Sequence, residues 1–173
     1  IEHRLLVDGE VKWVREKAEL QFNEKDECVR GTGFTQDITV RKQAEEELRE
    51  KNQLVKEVVN SAQEGVIVYG RDLRYKVWNP FMERLSGVPA SDVLDHHPLE
   101  VFPFLREAGV IERIEQALAG GTPGAVDFPY SFHEVGLSGW VSDMNSPLRD
   151  AEGEIIGVIA TVREITDRKR AEE

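Results

Sequence analysis

Cysteine is all but missing: Cys28 stands alone among 173 residues, so neither an internal disulfide framework nor a Cys-x-x-Cys metal or redox pair can form. A reducing, cytoplasmic compartment is expected. Long hydrophobic runs are lacking too, since no stretch approaches the ~18 apolar residues of a membrane helix and IEHRLLVDGE has no signal-peptide layout. No membrane span is expected in this stretch of chain. Positive charge is in short supply: 22 Lys and Arg against 33 Asp and Glu leave a net −11, which argues against nucleic acid as a partner. Only four histidines occur; His96 and His97 are adjacent and cannot easily aim at one ion, while His3 and His133 have no partner ligands nearby in sequence. No metal is expected. The two methionines are Met82 and Met144 and the chain opens on Ile1, so it reads as a piece of a longer polypeptide.

Catalytic signatures are absent as well. There is no Ser/His/Asp order, glycine-rich phosphate loop, paired-carboxylate motif or His-x-x-x-His. What remains is a globular composition, 40% apolar and 32% charged.

Proline and glycine divide the chain. All seven prolines lie between Pro80 and Pro147, and neither residue type occurs between Phe34 and Glu64. Within that uninterrupted stretch, Arg41–Glu57 holds ten charged residues, five of each sign, including the helix-favouring pairs Glu45–Arg49 and Glu47–Lys51. A helix is expected over 41–62. Its seam runs through Ala44, Leu48, Lys51, Val55, Val58 and Ala62 with heptad steps, the pattern of either a two-chain coiled coil or a solvated spacer.

Sliding the chain against itself reveals a gapless repeat at an offset of 127. It pairs Gly9 with Gly136, Trp13 with Trp140, Ile38 with Ile165, Thr39 with Thr166 and Lys42 with Lys169. Residues 1–46 and 128–173 are therefore one unit used twice. Each copy reads strand, turn, strand, turn, strand, helix. Before the second copy come the strands Gly65–Tyr69 and Leu73–Trp78, a helix opened by Asn79-Pro80, short helical pieces, and a helix with Val110, Ile111, Ile114, Ala117 and Leu118 on one face.

This order resembles the PAS family of sensor domains. The resemblance rests on Glu64-Gly65 with Asn79-Pro80, Leu85-Ser-Gly87, Ala119-Gly120-Gly121, Ser146-Pro-Leu-Arg-Asp150, Gly153, Gly157 and the closing Glu164-Ile-Thr-Asp-Arg-Lys169, echoed by Asp37-Ile-Thr39 in the first copy. It implies an α+β fold with a five-stranded antiparallel sheet and helices on one face. The expected organisation is the C-terminal three-strand part of a preceding PAS domain (1–40), a signalling linker helix (41–62), a complete PAS domain (63–165) and the start of the next linker helix (166–173).

A hairpin centred on Gly136 makes facing residues sum to about 272 and sets Phe128, Tyr130, Phe132, Trp140 and Met144 on one face. The resemblance, aligned from Gly136, then places Ser131, Val141, Asp143 and Asn145 toward the pocket with Ile159 beside them, the candidate ligand-binding residues. A slip of one register would turn Asp143 to solvent. An inward Asp143 needs a donor ligand, water or protonation, because a buried lone carboxylate is costly. Phe81, Met82, Leu85, Phe102 and Phe104, with Trp78, fit an apolar cavity lining or plain core.

The resemblance bears on cofactors too. Haem-binding members use a histidine on the long helix, where 106–119 has none; flavin-photoadduct members use a cysteine on the short helices, where 81–104 has none. The cofactor stays unassigned, with haem and a flavin photoadduct disfavoured. Three functions are weighed. The first is a non-catalytic sensory input module of a bacterial two-component or cyclic-dinucleotide protein, such as a sensor histidine kinase, dimeric through the linker helix and outer sheet face. The second is a ligand-free dimerisation domain with a filled core; the third, a small enzyme using Asp143 or His133 as acid or base.

Overall fold

Asp8 and Gly9 both take left-handed backbone angles, φ 50° and 85°. They form the two-residue turn that matches strand twist, and so join β1 (Glu2–Val7) tightly to β2 (Glu10–Phe22). β3 (Cys28–Asp37) completes an antiparallel sheet in the order β1-β2-β3. The structure, a computed structural model, describes residues 1–132 and 136–172. Val14 and Ile38 are buried in this first unit, whereas Leu6, Val11, Leu20, Val29 and Phe34 are exposed. The helix α1 (Thr39–Ser61) follows; it buries no residue and leaves Leu48, Val55 and Val58 on its surface.

Chain contacts separate residues 1–56 from 57–173. The second unit holds β4 (Gly65–Gly70), β5 (Tyr75–Trp78), β6 (Val126–Phe132), β7 (Leu137–Arg149) and β8 (Ile155–Glu164). All neighbours are antiparallel, in the order β5-β4-β8-β7-β6. β8 lies at the centre, which is why its sequence is apolar or small on both faces. Gly157 is required there, because a Cβ would strike the carbonyl oxygen of Tyr69 on the paired strand.

The helices lie on one face of this sheet. They are α2 (Pro80–Ser86), α3 (Ala90–Val93), α4 (Pro98–Val101) and α5 (Val110–Leu118), with a 3-10 turn at Pro103–Leu105. α5 buries Val110, Ile111, Ile114 and Ala117, residues spaced to fall on one side of a 3.6-residue helix, against β7 and β8. The core between helices and sheet includes Ile67, Val93, Ile114, Val158 and Ala160.

Asn79 binds several pieces together. Its Oδ1 accepts from the amides of Met82, as α2's N-cap, and of Val66; its Nδ2 donates to the carbonyls of Glu64 at 2.9 Å and Val59 at 3.1 Å. Val59 sits in the last turn of α1, where carbonyls lack helical partners. One side chain thus caps the end of one helix and the start of another.

The hairpin between β6 and β7 differs from the expected one. The pairs are Val126 with Asp143, Phe128 with Val141 and Phe132 with Leu137, so facing residues sum to 269 and the turn is not centred on Gly136. The difference from 272 is odd, which exchanges the faces of one strand relative to the other. Phe128, Tyr130 and Phe132 therefore join Val141 and Asp143 on the inner face, while Trp140 and Met144 fall on the outer one.

Candidate functional site

A cavity of about 50 Å³ lies between the inner sheet face and the helices. Its wall is aromatic because inward positions of four separate segments carry rings: Tyr69 on β4, Tyr75 and Trp78 on β5, Phe102 and Phe104 around α4, and Phe128, Tyr130 and Phe132 on β6. The rings pack on one another. Trp78 stacks on Phe102 at 5.6 Å between centroids, Phe102 meets Phe132 edge-on at 5.7 Å, and Tyr69 lies 5.0 Å from Tyr75. Trp78 Nε1 donates to the carbonyl of Val88 at 3.1 Å, so its polar edge is satisfied away from the ring stack.

One carboxylate interrupts this apolar wall. Asp143 is 3% exposed and lines the cavity. Burial pushes its carboxyl up to about 6, against the opposing effects of the hydrogen bond from Asn145 and the more distant charge of Arg113. Asn145 is 1% exposed; its Nδ2 donates to Asp143 Oδ2 at 2.5 Å, while its Oδ1 has no hydrogen-bond partner. Burial also holds the phenols of Tyr69 and Tyr75 above their ordinary value, with the charge of Asp143 adding to the effect in both.

Val141 and Asp143 line the cavity, and Asn145 lies just behind Asp143 on the same inward parity of β7. Two expected positions are corrected. Ser131 lies opposite Ser138 with its side chain exposed on the outer face, because the observed hairpin register reverses β6 relative to β7. Ile159 lies opposite Val68 and Ser146, also on the outer face; its neighbours Val158 and Ala160 point into the core instead. Met82, Leu85, Phe102 and Phe104 line the cavity, whereas Phe81 only packs against the core. Tyr69 and Tyr75 escaped sequence reasoning, although each sits at an inward position of its strand.

The histidines have local roles. His97 Nδ1 accepts from the Leu99 amide at 3.2 Å and caps α4, with Glu100 accepting from the His97 amide at 3.0 Å. His133 lies outside the described residues. Among the described residues no group of three or more His, Cys, Asp or Glu gathers to hold a metal, and no helix is long and apolar enough to cross a membrane. Among the described residues Asp143 is the one carboxylate on the cavity wall, which it shares with the phenols of Tyr69, Tyr75 and Tyr130, all raised by burial.

β7 also carries the joint to the last helix, α6 (Thr166–Glu172). The Trp140 amide donates to Thr166 Oγ1 at 2.9 Å, and its carbonyl accepts from the Ile165 amide at 2.8 Å. Lys169 Nζ lies over the Trp140 ring at 5.5 Å and pairs with Asp127 at 3.1 Å, while Arg168 reaches the same carboxylate at 2.7 Å. These cations, Lys169 foremost, hold Asp127 below the usual carboxylate range.

The first unit builds the same joint. Trp13 bonds Thr39 Oγ1 at 2.9 Å and the Ile38 amide at 2.8 Å; Lys42 lies 5.3 Å from the Trp13 ring centre, and Arg41 and Lys42 both reach Glu2 at 2.7 Å. Those two cations and Arg15 pull Glu2 down to about 2. The anions correspond in space although the gapless offset misses them, since Glu2 faces Arg15 and Asp127 faces Ser142 across their hairpins.

Comparison with known proteins agrees with this architecture. Over 115 residues the chain is 31% identical to the methanogenesis regulatory histidine kinase FilI of Methanothrix harundinacea, an alignment covering 66% of this chain and 13% of that one. The chain thus spans a small fraction of that relative's length. The PAS domain of Bordetella pertussis BvgS superposes with a TM-score of 0.56 at 21% identity, covering 73% of this chain and 94% of that one. VqmA of Vibrio cholera, solved as a ligand–DNA complex, gives 0.57 at 17% identity, covering 68% and 51%. Residues 59–170 match the family model described as the PAS fold, and with the five-stranded sheet, its one-sided helices and the cavity between them they make this chain a member of the PAS family.

Proposed function

We propose that this chain is a cytoplasmic, non-catalytic input module, which senses a small molecule in the β7 cavity or relays a conformational signal to a downstream effector such as a histidine kinase. The observation that carries this reading is the double use of one strand. β7 presents Asp143 to the cavity and, three residues earlier, grips the start of α6 through both backbone groups of Trp140. A change in charge or occupancy at Asp143 shifts a strand that cannot move without loading the helix joint. The relation to a regulatory histidine kinase supports an effector of that kind.

The same reading takes 1–40 as a second copy of the C-terminal part of the fold, 41–62 as a linker helix, 63–165 as the sensing domain and 166–173 as the start of the outgoing helix. It includes a homodimer, for which the exposed Leu48, Val55 and Val58 of α1 provide the apolar stripe.

Amide hydrogen exchange tests the relay. In Asp143→Asn the amides of Trp140, Ile165 and Lys169 are expected to change their exchange rates by about fivefold or more, with secondary structure intact. Unchanged rates at those three amides, with altered rates confined to residues 141–145, would refute the coupling.

A further inference from the structure

The β7 cavity has the chemistry of a receptor for a positively charged guest. Rings of Tyr69, Tyr75, Trp78, Phe102, Phe104 and Phe132 line a space with room for a few atoms, and the faces of such rings are electron-rich. Such faces attract cations, most strongly where water is excluded. On the same wall stands Asp143, and among the described residues no Lys, Arg or His forms an ion pair with it. Arg113, the one cation whose charge reaches it, is engaged elsewhere, its Nη1 bonded to the carbonyl of Gly124 at 2.5 Å. Asn145 holds the carboxylate by one amide N–H but brings no charge. A buried anion on an aromatic wall, with only an amide to answer it, lacks a counter-charge, and an uncharged guest would leave that lack in place.

From this arrangement the geometry points to a small alkylammonium ion as the ligand of the cavity, its N–H groups donating to Asp143 and its alkyl part against the rings. This deepens the sensory reading above and rests on it. Size narrows the class. A cavity of about 50 Å³ is roughly a third of the 150 Å³ engineered cavity that accepts benzene, which leaves space for two or three heavy atoms. Methylammonium, ethylammonium and dimethylammonium fit that limit; tetrabutylammonium does not. The hydroxyl oxygens of Tyr69 and Tyr75, near enough to Asp143 to feel its charge, offer further acceptors for an ammonium with more than one N–H.

The proton is the natural competitor. The groups that face Asp143 are Tyr69 from β4, Tyr75 from β5, Asn145 on its own strand and Arg113 from α5. The phenols are held above their ordinary range, while burial brings the carboxyl of Asp143 up to about 6. Binding is therefore expected to weaken by about tenfold per pH unit once the pH falls below the carboxyl's midpoint.

The whole chain titrated with ethylammonium chloride, by calorimetry and by thermal denaturation, tests the assignment. A saturable rise in the denaturation midpoint is expected at pH 7.5, with matched sodium chloride, ethanol and tetrabutylammonium chloride giving none. Affinity should fall about tenfold or more in Asp143→Asn and about threefold in Phe132→Leu, which stays apolar and removes an aromatic ring. The Phe132 variant carries the test alone if the Asp143 variant does not fold. Equal responses to ethylammonium and sodium, or an unchanged affinity in either folded variant, would overturn the proposal. So would equal binding of ethanol, which would make the cavity a plain apolar hole. The relay measurement uses no ligand, so a failure here leaves that result standing.

Discussion

Replacing Asp143 by Asn is expected to stabilise the protein at neutral pH, and the size of the effect follows from the carboxyl's surroundings. An ordinary aspartate has a reference value of 3.8, and burial raises Asp143 to about 6. Below the lower value the acid is neutral in both folded and unfolded chains and burial of its charge costs nothing. As pH rises from 3.8 toward 6 the unfolded chain ionises first, so folding loses stability through that window and the loss is constant above it. The difference of about 2.2 units, at 1.36 kcal/mol per unit, amounts to about 3 kcal/mol on an order-of-magnitude scale. Asparagine removes the charge but adds an NH2 group that must find an acceptor, a cost of about 1–3 kcal/mol that does not depend on pH.

The decisive quantity is accordingly the change with pH of the stability difference between variant and parent. Urea unfolding of both proteins at pH 4 and pH 7.5 supplies it. The advantage of the variant should grow by about 2 kcal/mol between the two conditions, since the unfolded carboxyl is already partly ionised at pH 4, while surface carboxylates cancel because both proteins share them. A difference that stays flat across this interval would show that Asp143 is ordinary in its ionisation and would sink the argument from burial.

Two further outcomes are expected. Asn79→Asp keeps the acceptor that caps α2 but replaces the donor to the carbonyls of Val59 and Glu64 by a second oxygen, so a loss of about 3 kcal/mol at pH 7.5 is expected in urea unfolding, partly recovered when the acid is protonated. The double change Leu48→Glu and Val55→Glu should lower the mass found by light scattering at a concentration where the parent self-associates; an equal mass for both would mean that the stripe on α1 is a solvated face.

Much of this architecture is legible from residue types alone. β8 announces its central place by being apolar or small on both faces, and Asn79-Pro80 announces the start of α2 through a side-chain acceptor followed by a residue that needs no amide partner. The repeat extends this, since two copies of Trp, Ile-Thr and Lys at fixed spacing mark two identical joints. What could not be read was the register of β6 on β7. The match of Gly136 with Gly9 in the repeat suggests a turn like that at Asp8-Gly9, yet the second hairpin is two residues longer than the first. Alternation within each strand is local information, whereas the phase between strands depends on the length of the turn. Parity groups Asp143 with Val141 and Asn145, and only the resemblance turned that set inward; Ser131, tied to it by the assumed register, falls on the outer face for that reason. The tyrosines of β4 and β5 stayed hidden because their convergence on Asp143 is a property of the folded sheet, with more than 60 residues of chain between them and it.

Under the relay proposed above, the position of Asn79 would give the domain an entrance as well as an exit. Its Nδ2 holds the last turn of α1 and its Oδ1 holds the first turn of α2, the helix whose Met82 and Leu85 form part of the cavity wall. On that reading, a twist arriving along α1 would press on the cavity through the Asn79 amide, and a change in the cavity would leave along β7. Modules wired in this way can be strung in series, each one a gate whose threshold depends both on what it holds and on what its predecessor delivers.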